Sequence, residues 1–251
     1  MIRKVLINLV HVPLLVIHMV LMMRVIHWYK LEACALDSSI LVIALALAGH
    51  ILGFWLPGLL CTAFPYLGIG VKLQPKRYTD PFEGIALVIA NCFIGLAIAI
   101  PVIINLLPSV YAPIPPAATI ARDVLVFLMI EEFLFFHFHF LAHRSPFIYR
   151  HIHKLHHRFT SPTAFHVLYT HPIEHVMVNI LPLLLGPVLM ASHHVLAILW
   201  LAVGQLSSLV AHSGYLIPLI PTNPLHDFHH EHFTGNFGVL GFFDFLYGTL
   251  K

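Results

Sequence analysis

The segment at residues 137–158 constrains the fold more than any other part of the chain, because it carries seven histidines among hydrophobic residues. His139 and His143 are four residues apart, so on a helix their rings share one face. The spacing HxxHH follows at His153 and returns in HDFHH at His226. Imidazoles clustered on helix faces are strong ligands for transition metals. The sequence therefore predicts a metal site assembled from distant segments.

The composition indicates that this site belongs to a membrane protein. Of the 251 residues, 59% are hydrophobic and 10% are charged, and the mean hydropathy is +0.88. A soluble domain has about 25% charged residues. The net charge of +2 gives no indication of a nucleic-acid partner. The three cysteines lie in or beside apolar stretches and are expected to be buried thiols without a disulfide framework.

Apolar stretches divide the chain into predicted membrane helices, each able to cross about 30 Å of hydrocarbon. We predict an uncleaved helix at 5–23 and further spans at 39–67, 82–108, 119–143, 173–191 and 195–212. The Lys and Arg residues near 72–77 and 144–158 place both loops in the cytosol, and the chain after residue 213 returns to the same side. The predicted fold is an all-α integral membrane protein with helical hairpins and a cytosolic histidine-rich cap that holds two metals.

Two units are expected along the chain. Residues 1–69 would form N-terminal membrane helices. Residues 70–251 would form a catalytic domain, made of the membrane hairpins 82–143 and 173–212 and the cytosolic histidine segments.

Ten histidines are candidate metal ligands. They comprise those of the three clusters and two at the mouths of the second hairpin: His139, His143, His153, His156, His157, His171, His212, His226, His229 and His230. One ion takes about four to six ligands, so two metals fit this number better than one. Four further residues are candidates for orienting the ligands: Glu132, His175, Asp227 and His232. No Glu-x-x-His occurs in the clusters, which disfavours the carboxylate type of di-iron site.

Histidines outside the clusters have simpler explanations. A lone histidine in an apolar segment is more often structural or interfacial than catalytic. We therefore expect structural or interfacial roles for His11, His18, His27 and His50. His193 and His194 fall in the turn between two apolar helices on the side away from the clusters, so they are expected to be solvated.

HFLAH, HKLHH and HDFHH, in this order, resemble the histidine boxes of the fatty acid hydroxylase and sterol desaturase superfamily. YTHPIEH, AHSGY and GNFGVLGFFDFLYGT resemble its C4-methylsterol oxidase branch, and HPIEHVMVNILPLLLGPVLMASH is most similar to the group of fatty acid hydroxylase domain-containing proteins. The resemblance covers roughly residues 70–250. Phe140 stands where relatives often have Arg, and Leu225 where sterol oxidases often have a further His.

The resemblance implies a four-helix membrane anchor and a cytosolic cap in the endoplasmic reticulum membrane. It implies two iron ions, replaceable by zinc on recombinant expression, together with dioxygen and electrons from NAD(P)H through cytochrome b5 and its reductase. The box ligands of the family fall on the eight histidines of HFLAH, HKLHH and HDFHH, and His171 and His212 match its additional histidines.

The implied activity is oxidation of a C4-methyl group of a sterol precursor in lipid biosynthesis. One alternative is a fatty-acyl or alkylglycerol hydroxylase with the same site. Another is a non-catalytic relative that binds metal or lipid and regulates sterol metabolism. For a lipid substrate, the expected pocket lining is the Phe-rich face of the 119–143 helix together with the apolar hairpin 173–212.

Overall fold

A bundle of long apolar helices forms the body of the protein in the computed structural model. The structure describes residues 2–28, 37–75, 77–216 and 224–251. In the first helix it describes the side chains of residues 11–26. The α-helical elements are α1 (Ile2–Trp28), α2 (Ser38–Leu67), α3 (Ile85–Leu106), α4 (Ala117–Arg144), α5 (Pro146–His151), α6 (Pro172–Leu189), α7 (His194–Ala211), α8 (Pro224–His232) and α9 (Phe242–Tyr247). Short 3-10 helices follow α5 and precede α6, at His153–Arg158 and Ala164–Leu168.

Five helices confirm the predicted spans. Within the described residues, α2, α3, α4, α6 and α7 are each long and apolar enough to cross a membrane. The predicted segment 5–23 lies inside α1. Cys61 and Cys92 are buried free thiols, whereas Cys34 and the side chain of His27 lie outside the described part of the chain.

Apolar faces of these helices pack into two cores. The first joins α1, α2, α4 and α7, where Phe127 and Trp200 are fully buried with ring centroids 5.4 Å apart. The second core joins α2 and α3 to the 3-10 helix at Ala164–Leu168 through rings such as Phe54 and Phe165. Because Gly53 has no side chain, α2 can approach the backbone of Ala202 in α7 closely.

The turn between α6 and α7 is held by two histidines. His193 caps α7, because its Nδ1 accepts a hydrogen bond from the backbone N–H of Val195, and its Nε2–H donates to the carbonyl of Ala112. His194 Nε2–H donates to the carbonyl of Leu107. Both rings are buried. The expectation that they are solvated is therefore wrong, because each ring satisfies a carbonyl of the neighbouring α3–α4 connection.

Three polar segments meet at the opposite end of the bundle. β1 (Val71–Lys72) pairs antiparallel with β2 (Tyr215–Leu216), a small addition to the predicted all-α fold. Gln74 Nε2 donates to the carbonyl of Thr160 and to Asp227 Oδ2. The segments at 70–81, 144–171 and 213–251 therefore meet as the sequence predicts.

Two glycines with positive φ allow a matched test of this packing. Gly84 (φ 75°) precedes α3, and a methyl group there would collide with the ring of Tyr169, whereas Gly68 (φ 65°) ends α2 with open space around it. We expect Gly68→Ala to cost about 1 kcal/mol for backbone strain. Gly84→Ala should cost roughly 1–3 kcal/mol more because of the collision. Thermal unfolding in detergent checks this, and equal midpoints for the two variants would contradict it.

Candidate metal centre

Nine of the ten candidate ligands gather beneath the polar segments, at one end of the bundle. The last turns of α4 supply two of them, the 3-10 helix at His153–Arg158 supplies three, and the end of α7 and α8 supply the rest. The nine rings form two groups, and within each group the ligand atoms lie within 4.8 Å of one another.

The first group contains His139, His143, His153, His157 and His229. Nε2 of His143 lies 2.8 Å from Nε2 of His153 and 3.0 Å from Nε2 of His157. Nε2 of His157 lies 2.9 Å from that of His153 and 3.1 Å from that of His229. Four ring nitrogens from three segments of the chain therefore converge on one point.

The second group contains His156, His212, His226 and His230, all of them buried. Nε2 of His212 lies 2.9 Å from that of His226 and 3.4 Å from that of His156. The His230 ring centroid lies within 5.0 Å of the other three. The group thus brings α7 and α8 against the 3-10 helix.

Consecutive histidines are divided between the two groups. In HKLHH, His153 and His157 enter the first group, and His156 enters the second. In HDFHH the assignment is reversed, because the first and last histidines enter the second group and the middle one enters the first. Each HxxHH segment therefore contributes to both groups.

Hydrogen bonds from Nδ1 leave Nε2 available as the ligand atom in five rings. Four of them donate to backbone carbonyls, in the pairs His139–Phe237 (2.8 Å), His229–Gly235 (2.8 Å), His212–Ser208 (2.8 Å) and His230–Phe159 (3.2 Å). The fifth, His153, has its Nδ1 2.5 Å from Glu174 Oε1. Such contacts fix the tautomer and the direction of a metal-binding imidazole.

The donor set fits metal ions. A neutral imidazole carries one N–H, so nitrogens that converge at about 3 Å cannot all be satisfied by hydrogen bonds to one another. Imidazole nitrogens bound to a divalent cation lie about 2.0–2.1 Å from it, which leaves adjacent nitrogens roughly 3 Å apart. Nε2 of His139 and Nε2 of His230 are buried without a hydrogen-bond partner in the described chain. The two groups could each hold one ion.

Electrostatics keeps six of these rings neutral. Burial, and then the neighbouring imidazoles, lower the pKa well below its ordinary value in five rings: His156, His157, His226, His229 and His230. Burial also lowers the pKa of His212 to about 4. At neutral pH these rings therefore carry the lone pairs that metal binding requires.

Several predicted residues lie elsewhere. His171 belongs to neither group, and its Nδ1 accepts from the backbone N–H of Ile173 at the start of α6. Asp227 is hydrogen-bonded to Gln74, and burial raises its pKa. His232 is exposed, with Nδ1 3.2 Å from the carbonyl of Phe228. Glu174, which does contact a ring of the first group, was not predicted, and its position in HPIEH was the available signal.

Glu132 acts on the site through the C-terminal segment. Its carboxylate accepts four backbone N–H groups, from Val239, Leu240, Phe242 and Phe243. Asp244 accepts the N–H groups of Phe237 and Gly238 and the hydroxyl of Thr249. The carbonyl of Phe237 in turn receives His139 Nδ1–H. The two buried carboxylates therefore hold the loop that orients a ring of the first group.

A mostly apolar cavity lies between α2, α3, α6 and α7, beside the 3-10 helix at Ala164–Leu168. Residues of the hairpin 173–212 line this cavity. The Phe-rich face of α4 does not, because Phe136 packs on Phe140, Phe243 and Tyr247 instead. Ser208 lines the cavity, and its backbone carbonyl receives the Nδ1–H of His212, a ring of the second group.

An apolar helical bundle with two buried histidine groups at one end defines a membrane protein of the histidine-box class. The sequence model of the fatty acid hydroxylase family matches residues 124–249. The chain belongs to the fatty acid hydroxylase family, which confirms the resemblance found in the sequence.

Relatives span several named activities. Human fatty acid hydroxylase domain-containing protein 2 is 41% identical over 127 residues, which are 51% of this chain and 38% of the human protein. A Dictyostelium discoideum protein named as a methylsterol monooxygenase is 30% identical over 78% of both chains. A very-long-chain aldehyde decarbonylase of Oryza sativa subsp. indica is 28% identical over 79% of this chain and 81% of its own.

The matched part therefore spans 38% of the length of the human relative. No solved structure matches the chain.

Replacing Glu132 tests the C-terminal support of the site. Glu132→Gln keeps the size of the side chain but turns an amide N–H₂ toward backbone donors. Because hydrogen bonds to a charged group contribute about 1.5–3 kcal/mol each, we expect a loss of about 2 kcal/mol or more and a lower metal content. Thermal unfolding and elemental analysis measure both. The control is Glu231→Gln, a partly exposed residue of α8 outside both groups, which should change neither. An unchanged Glu132→Gln variant would refute this role.

Proposed function

We propose that the protein is a membrane-bound, two-iron lipid monooxygenase that oxidises a C4-methyl group of a sterol precursor. The reaction would consume one dioxygen, two electrons and two protons, and yield the alcohol and water. The observation that carries the proposal is the pair of buried histidine groups at the end of membrane-spanning helices. The two electrons would come from NAD(P)H through cytochrome b5 and its reductase.

Some residues of this chain would bind the metals, and others would orient the metal ligands. We propose as ligands the nine histidines of the two groups; His171 is left out because of its position. When bound, the iron ions would supply the activation of dioxygen. Glu174 and the carbonyls of Gly235 and Phe237 would keep the rings directed inward. The apolar walls of the cavity would position the lipid and exclude water.

A sterol is favoured over an acyl chain by two observations. YTHPIEH, AHSGY and HDFHH resemble the sterol branch, and a relative named as a methylsterol monooxygenase aligns along 78% of both chains. The acyl alternative is also supported, since relatives include proteins named as fatty acid hydroxylases and as an aldehyde decarbonylase. The complete histidine groups argue against a non-catalytic regulator.

Residues 70–251 contain every proposed ligand, so we propose them as the catalytic unit. Residues 1–69 would be more than an anchor, because α2 lines the cavity. The location we propose is the endoplasmic reticulum membrane.

Metal content tests the site. We expect two metal ions per chain, iron in the active form and zinc when iron is scarce. His157→Ala and His230→Ala each remove a ligand of one group, so each should lower the content by half or more. His151→Ala is the control, because this exposed histidine lies in the same segment and outside both groups. Elemental analysis reporting less than one ion per folded wild-type chain would rule out the two-metal site.

Substrate choice is tested by expression in cells that lack their own C4-methylsterol oxidase. We expect growth to recover and accumulated 4-methylsterols to disappear, whereas His153→Ala should abolish both effects. His232→Ala, at an exposed position of α8, should retain them. Appearance of 2-hydroxy fatty acids or alkylglycerol cleavage products with unchanged sterols would favour the acyl alternative.

Membrane orientation is tested by single cysteines at Asp80, Arg150 and Thr234, three exposed positions in the polar segments. The Lys and Arg bias of the first two segments predicts that all three face the cytosol. An impermeant thiol reagent should therefore leave the three cysteines unlabelled in intact cells. It should label them once the plasma membrane is permeabilised while the membrane of the endoplasmic reticulum stays sealed. Labelling of any one from the lumen alone would contradict the proposed orientation.

A further inference from the structure

Six polar residues line the mostly apolar cavity within the membrane-spanning part of the bundle: His50 of α2, Asn91 of α3, His175 and Asn179 of α6, and Gln205 and Ser208 of α7. A buried polar group costs free energy unless it is hydrogen-bonded, and the cost is largest where no water is at hand. Polar side chains at this depth therefore indicate that the cavity binds a ligand with a polar group.

His50 presents a hydrogen-bond acceptor. Its Nδ1 lies 2.6 Å from Gln205 Oε1. An amide oxygen only accepts, so Nδ1 carries the proton and Nε2 carries a lone pair. Nε2 is buried and has no hydrogen-bond partner among the described residues. The His50–Gln205 pair thus holds an unused acceptor in the cavity wall.

Asn91 and His175 add a second acceptor and a donor. Asn91 Nδ2 donates to the carbonyls of Leu168 and Thr170, which leaves Oδ1 buried without a partner in the described segments. His175 Nδ1 lies 3.2 Å from Asn179 Nδ2, an amide donor, so the proton of His175 is on Nε2. This Nε2–H is likewise buried, with the backbone of Asn91 beside it.

We propose that these side chains form a recognition site for the hydroxyl group of a lipid, held inside the cavity. A hydroxyl both donates and accepts, so it can donate to His50 Nε2 or Asn91 Oδ1 and accept from His175 Nε2–H. A plain acyl chain or an ester offers no donor. This inference rests on the proposed function, and it narrows the substrate to a hydroxylated lipid such as a sterol.

The proposed site shares α7 with a ligand of the second histidine group. Gln205 and His212 are about two turns apart on this helix, or roughly 10 Å along its axis. Ser208, between them, lines the cavity and receives His212 Nδ1–H. A lipid held at His50 by its hydroxyl would extend along α7 toward the second histidine group.

Equilibrium binding to the full-length, metal-loaded protein in detergent tests the site without turnover. The probes are a labelled 4-methylsterol and its 3-deoxy analogue, which has the same shape without the hydroxyl. A site built for a hydroxyl leaves its own polar groups unpaired when the hydroxyl is missing. We expect the analogue to bind at least tenfold more weakly. Equal affinities of the wild-type protein for the two lipids, or no binding of either, would overturn the proposal.

Variants assign the preference to the His50–Gln205 pair. His50→Phe removes the acceptor but keeps a ring to stack on Phe54, whose centroid lies 5.4 Å from that of His50. His50→Phe and Gln205→Leu should bring sterol binding down to the level of the 3-deoxy analogue, with metal content unchanged. Leu201→Met, in the same wall, is the matched control and should keep the preference.

The outcomes separate the two proposals. A tenfold preference that survives both substitutions would overturn the assignment to this pair. If either variant fails to fold, the comparison of the two lipids on the wild-type protein still decides. A hydroxyl preference without any oxygenated product would leave the recognition site standing and refute the monooxygenase.

Discussion

The structure depends on nine imidazoles, eight of them buried, that meet at one end of an apolar bundle. Ring nitrogens that converge at about 3 Å repel one another when protonated and lack partners when neutral, so the arrangement is costly without a cation. Much of the surrounding architecture offsets that cost. Carbonyls of two loops and of α7, and the carboxylate of Glu174, receive the outer nitrogens. The C-terminal loop is itself held by the buried carboxylates of Glu132 and Asp244.

Sequence patterns predict much of this. The lengths of the apolar stretches predicted five spans. HFLAH, HKLHH and HDFHH contain eight of the nine grouped histidines, although the rings of HKLHH and of HDFHH divide between the two groups instead of sharing one. The ninth, His212, was predicted from its place at the end of a helix.

Long-range contacts were beyond these patterns. Glu174 finds His153 only once α6 packs beside the 3-10 helix, and His193 finds the carbonyl of Ala112 across the α6–α7 turn. His171 has the right type and location for a ligand but turns to cap α6. The Phe-rich face of α4 was assigned to the cavity because hydrophobicity does not reveal which neighbour covers a surface, and α9 covers it instead. Local spacing predicts the helices, whereas the contacts of individual side chains depend on residues that are distant in the sequence.

The division of consecutive histidines between the two groups has a consequence for assembly. His156 and His157 are joined by one peptide bond yet serve different groups, so any shift of the backbone that seats one ring also moves the other. Capture of a first ion would therefore prepare the position of the second, and the chain would fill in a concerted manner. A metal-starved cell would then contain fully loaded and empty molecules, with few singly loaded ones. The supply of metal would set the number of fully loaded molecules, while the activity of each loaded molecule would stay the same.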